Sequence, residues 1–82
     1  MKFTLFRYRN QKPLLSEQDI TIIKLYSREY SYRDIGFELN LSEKHVENQI
    51  EQIRSKVGAK NEVGIFIYAL KNKIIEIDDR FK

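Results

Sequence analysis

The residue types that carry out covalent chemistry are nearly missing from this chain. Cysteine is absent, and histidine occurs once, at position 45. The three glycines stand apart at 36, 58 and 64, so they form no phosphate-cradling loop. A single histidine with no carboxylate at a supporting spacing makes neither a nucleophilic centre nor a metal site. The chain is therefore expected not to be an enzyme and to need no cofactor or metal. What the spacing does offer is charge. Glu43, Glu47 and Glu51 recur every four residues, which on a helix sets them along one side. Lys44, Arg54, Lys56 and Lys60 are interspersed with them or follow them, and can meet phosphates as point charges or, for arginine, as a planar fork. Residues 1–13 hold Lys2, Arg7, Arg9 and Lys12 and no acid, a charge of +4; the other 69 residues hold 11 basic and 12 acidic side chains, a charge of −1. The overall balance of +3 thus comes from an N-terminal arm. Arg7 and Arg9 can enter a minor groove or bind nucleic acid without sequence preference; the alternative is a tethering or solubilising role.

The elements that would position these charges are legible from caps and apolar periodicity. Residues 2–9, KFTLFRYR, partly alternate, with Phe3, Leu5 and Tyr8 able to share a side, which suits a short strand or extended arm ended by Pro13. Ser16 and Asp19 have capping-box spacing, and Ile20, Ile22, Ile23 and Tyr26 then recur as a helix requires, to about Arg28. Ser31 with Asp34 opens a short second helix carrying Ile35 and Leu39. Asn40 and Leu41 make a tight connection, and Ser42 caps a third helix whose Val46, Ile50, Ile53 and Val57 face a core until Gly58 ends it. Asn61 caps a fourth helix over about 62–72. Residues 63–70, VGIFIYAL, are apolar or aromatic except for Gly64. A helix apolar nearly all round needs cover on a second side, and a second copy of the chain can supply it through Val63, Ile67 and Leu70, at i, i+4 and i+7. Cover by the N-terminal arm is the other option. Tyr26, Tyr30, Tyr32 and Phe37 suit packing better than base stacking. No apolar run approaches the roughly 18 residues of a spanning helix, and the N-terminus has no continuous apolar segment of signal-peptide type.

Three capped helices with a tight turn between the second and third match the helix-turn-helix template. The residue pattern is more specific. Leu15-Ser16, then Ile22, Ile23 and Leu25, then Ser31-x-x-Asp34-Ile35-Gly36-x-x-Leu39-x-Leu41-Ser42-x-x-x-Val46-x-Asn48, then Ile53-x-x-Lys56-Val57, Asn61 and Tyr68-Ala69-Leu70 resembles the LuxR/GerE family over about 60 of the 82 residues. The resemblance implies a bacterial, cytoplasmic transcription regulator whose third helix enters the major groove, whose first two helices brace it, and whose fourth pairs with its twin. It puts His45 where the family's threonine often meets a phosphate, and Glu47, Asn48 and Glu51 on the base-facing side. By residue type, Lys44, Arg54, Lys56 and Lys60 are expected at the DNA backbone with His45, and Gln52 at base edges. Where the family reads Ser-x-x-Thr-Val-Lys-x-His, this chain has His45 for the threonine, Glu47 for the lysine and Gln49 for the histidine. Glu29 replaces a glycine after the first helix, and Glu62 replaces the arginine that usually follows Asn61.

The expected architecture is all-α: a four-helix LuxR-type helix-turn-helix bundle over 15–75, an extended basic arm over 1–14 and a frayed tail over 76–82. The expected function is a sequence-specific transcriptional regulator that binds double-stranded DNA as a homodimer through its fourth helix. The rival reading keeps the fold and gives Glu43, Glu47 and Glu51 a basic protein partner instead.

Overall fold

The computed structural model describes residues 15–77, which form four helices: α1 (Glu17–Ser27), α2 (Tyr32–Leu39), α3 (Glu43–Val57) and α4 (Glu62–Lys71). No strand occurs among the described residues, and the extended arm with Arg7 and Arg9 lies outside them, as do positions 78–82 of the tail.

Each helix starts where a side-chain oxygen takes up an otherwise unpaired amide. Ser16 Oγ accepts from the Asp19 N–H and Asp19 Oδ2 accepts from the Ser16 N–H, both at 3.0 Å, completing a capping box. Ser31 and Asp34 repeat the exchange at the start of α2. Ser42 Oγ accepts from His45 N–H at 3.0 Å, and Asn61 Oδ1 from Gly64 N–H at 3.3 Å. The ends are equally local. Gly58 closes α3 at φ 74°, a left-handed conformation that glycine adopts without strain. Asn40 closes α2 at φ 61°, and the Leu41 N–H then donates to the Gly36 carbonyl at 2.8 Å, folding the chain directly into the cap of α3.

The turn after α1 is less well suited to its residue. Glu29 sits at φ 73°, where a Cβ crowds the carbonyl at a cost of about 1–2 kcal/mol. This is the position at which the sequence carries glutamate in place of the family's glycine. Glu29→Gly is expected to raise stability by about 1 kcal/mol, less than the full strain because glycine also loosens the unfolded chain. Thermal unfolding checks this, with a midpoint rise of roughly 5 °C; an unchanged midpoint would show that the turn carries no strain.

The core is built from every helix: Ile22 and Ile23 of α1, Ile35 of α2, Val46, Ile50 and Ile53 of α3, and Ile65 and Ala69 of α4, each at most 2% exposed. Leu15, Leu25, Tyr26, Tyr30, Tyr32, Leu39, Leu41, Val57, Ile74 and Ile75 pack around it. Phe37 departs from the packing role its type suggested: it is 88% exposed. It stands two residues beyond buried Ile35, about 200° around the helix, and so faces away from the core. No helix among the described residues is long and apolar enough to cross a membrane.

Candidate nucleic-acid interface

Burial of Val46, Ile50 and Ile53 decides which way α3 faces. With that stripe turned inward, Glu43, Lys44, His45, Glu47, Asn48, Glu51 and Gln52 are all exposed on the remaining surface. The backbone-facing and base-facing sets expected on α3 therefore lie together on one open face, apart from Arg54 and Lys56 near its C-terminal end. Lys60 is exposed in the α3–α4 turn.

The charges on this face are largely paired. Lys44 Nζ stands 3.6 Å from Glu47 Oε1, with both side chains well exposed, at 75% and 53%. A pair of this kind is solvated and loose. Arg54 is held far more firmly. Its Nε donates to both Glu51 oxygens at 3.0 and 3.1 Å, its Nη2 reaches Glu51 Oε1 at 3.0 Å, and its Nη1 donates to the Ala59 carbonyl at 2.7 Å. The hydrogen bonds from Arg54 hold the Glu51 carboxyl below its usual value, and Glu51 in turn raises the guanidinium. The pair also ties the end of α3 to the following turn.

Lys56 points to α1. Its ammonium lies 2.8 Å from Asp19 Oδ2, and Asp19 is fully buried while the lysine side chain is 37% exposed. Asp19 Oδ1 accepts from Gln49 Nε2 at 2.7 Å, and Oδ2 also serves the Ser16 cap. Burial by itself pushes this carboxyl up, but Lys56, Gln49 and the Ser16 amide together outweigh it and hold it below the ordinary aspartate range. One carboxylate thus caps α1 and receives two side chains from α3, which fixes the rotation of α3 about its axis.

A second such centre joins α4 to the first two helices. The Tyr26 hydroxyl of α1 donates to Glu62 Oε1, and that of Tyr32 of α2 donates to Glu62 Oε2 at 2.6 Å. The Tyr26 ring packs on Tyr32 and Phe66 with centroids 5.5 and 5.4 Å apart. Burial first, and the Glu62 carboxylate second, push both phenols above their usual value. Protonated phenols are what the folded state requires, so this contribution is complete below about pH 10 and is lost as pH rises through the raised values.

On α4, Ile65 and Ala69 are buried while Val63, Ile67 and Leu70 are 62%, 48% and 38% exposed. These three form an apolar strip on the side away from the core. Sequence reading identified this strip and the open face of α3. It missed the convergence of Asp19 with Gln49 and Lys56, and of Glu62 with Tyr26 and Tyr32, because the partners lie 30 to 37 residues apart. The nearest signal was the glutamate following Asn61, which could have prompted a search for hydroxyl or cationic partners.

Comparison with known proteins agrees with this geometry. The profile of the family described as bacterial regulatory proteins, luxR family, matches residues 13–69. Among curated proteins, the oxygen regulatory protein NreC of Staphylococcus aureus strain JH9 is 33% identical over 63 residues, as are its counterparts in strains USA300 and NCTC 8325 / PS 47. The match takes in 77% of this chain and 29% of each relative, so the chain spans less than a third of the length of those proteins.

Proposed function

Because this chain belongs to the luxR family of bacterial regulatory proteins, we propose that it is a sequence-specific transcriptional regulator that binds duplex DNA as a homodimer with α3 in the major groove. The folded unit is taken as residues 15–75, with 1–14 as a basic arm and 76–82 as a tail. The observation that carries the reading is the open polar face of α3, set opposite Val46, Ile50 and Ile53 and braced by α2 through the Asn40–Leu41 turn. Lys44, His45 and Lys60 serve the backbone, with Arg54 and Lys56 beside them at the end of the helix; Glu47, Asn48, Glu51 and Gln52 face base edges.

Binding of a random duplex across a salt series tests this. Of the cations assigned to the DNA backbone, Lys44 and Lys60 are the least engaged by the fold, so a dimer using them offers about four phosphate contacts and a slope of log K against log salt of about −4. Arg7 and Arg9 in contact would add four more and steepen it to about −7, a difference that deletion of residues 1–12 removes. No binding at roughly 20 mM salt, where phosphate attraction is least screened, would overturn the reading. It would favour the second one, a protein-interaction module meeting a basic partner through Glu43, Glu47 and Glu51. That alternative draws on the engagement of Arg54 and Lys56 within the fold.

For the dimer, the exposed Val63, Ile67 and Leu70 supply the seam. Ile67→Asp is expected to convert dimer to monomer in sedimentation without loss of helicity, since the side chain is 48% exposed. An unchanged mass would rule the seam out.

A further inference from the structure

Resting on that DNA-reading role, we infer that the polar face of α3 is divided into residues that read and residues that hold, and that Glu47 is the specificity-determining residue, selecting cytosine in each half-site. Four side chains of this face carry hydrogen-bonding groups suited to base edges: Glu47, Asn48, Glu51 and Gln52. All four are exposed on α3, and their existing partners separate the two glutamates. Both oxygens of Glu51 accept from Arg54 Nε, and the same guanidinium is anchored at the Ala59 carbonyl. Turning Glu51 toward a base would give up its charge-assisted contacts to a guanidinium that the Ala59 carbonyl holds in place. Its side chain is 63% exposed, so what separates it from Glu47 is the anchored partner and not burial. Glu51 is therefore a positioning residue.

Glu47 is free by comparison. Its neighbour Lys44 stands at 3.6 Å, both side chains are well exposed, and separating them loses little. A lysine drawn to a phosphate leaves the carboxylate beside it able to accept a hydrogen bond. In the major groove the exocyclic amino group of cytosine is the donor that a carboxylate takes up, whereas the acceptor edge of guanine repels it. Asn48 and Gln52, exposed on the same face, are the types that pair with adenine. The half-site is thus one containing cytosine flanked by adenine, and its lone acidic reader lowers affinity for all DNA while discriminating strongly among bases.

Selection of bound sequences from a random duplex pool tests the division. The unaltered protein is expected to prefer cytosine about tenfold at one position of each half-site. Glu47→Ala should flatten that position to within twofold and keep the adenine positions, and Glu47→Lys should turn the preference to guanine. Glu51→Ala should retain the cytosine preference. All three changes are at exposed residues, and circular dichroism verifies that the helices persist. Cytosine preference surviving Glu47→Ala, or vanishing in Glu51→Ala, would overturn the assignment while leaving DNA binding intact. Failure of the unaltered protein to retain any duplex at low salt would instead overturn the DNA-reading role itself, and the assignment with it.

Discussion

Replacing Lys56 with methionine is expected to cost about 3 kcal/mol of stability at pH 7, the lower part of the range for breaking a buried pair because the lysine side chain is still 37% exposed. Methionine keeps the length and apolar body of the side chain. What it removes is the cation facing a carboxylate that is fully buried. Gln49 and the Ser16 amide would remain as partners, but neither carries charge. The pH dependence separates this from ordinary loss of packing. In the unaltered protein the Asp19 carboxyl lies below its usual value. Its contribution is therefore complete above about pH 4 and disappears as pH falls through the lowered native value. In the variant the lowering by Lys56 is gone, so the carboxyl is expected to rise, and protonation then relieves the stranded charge. The stability difference should accordingly shrink from pH 7 toward pH 4. Urea denaturation across that interval measures it, and a constant difference would show that Lys56 acts through packing. Combining Asp19→Asn with Lys56→Met should recover most of the loss at pH 7.

The second large effect is expected at Gly36. A Cβ there would lie 2.5 Å from the carbonyl oxygen of Leu41 and 3.4 Å from its carbon. Both are backbone atoms of the turn that leads into α3, so no side chain can swing aside. The same segment is drawn close by the bond from the Leu41 N–H to the Gly36 carbonyl. Gly36→Ala must push α2 and the start of α3 apart, and is expected to cost about 2–3 kcal/mol despite the better helix propensity of alanine. Urea midpoints test this as well. A change below about 0.5 kcal/mol would mean that the turn can relax, and would weaken the case that close approach at Gly36 sets the spacing of the two helices.

What could be read from the chain alone follows the range of the interactions. Ser16, Ser31, Ser42 and Asn61 were legible as caps because each bonds an amide three residues on. The core stripe of α3 was legible because its period is that of one helix. Glu29 was visible as a departure from the family pattern, yet its left-handed backbone is a property of the folded turn. Asp19 shows the boundary within one residue. Its bond to the Ser16 amide was foreseen, while its other partners, Gln49 and Lys56, come from a helix that only the tertiary arrangement brings beside it. Phe37 failed for the opposite reason: aromatic type suggested burial, and the angular position on α2 overrode it.

For the proposed DNA-binding role, the engagement of Arg54 and Lys56 by the fold would have a consequence for searching a chromosome. A genome offers on the order of 10⁶–10⁹ irrelevant sequences, and attraction to phosphate is felt equally at all of them. With Arg54 engaged by Glu51 and Ala59, and Lys56 by Asp19, a reader of this design is retained weakly at each decoy. Fewer molecules would then be sequestered at decoys, and a lower copy number would suffice to fill a matching site. The accompanying penalty is kinetic: weaker long-range steering lowers the rate of first encounter, and the time saved on wrong sites is partly returned in reaching the right one.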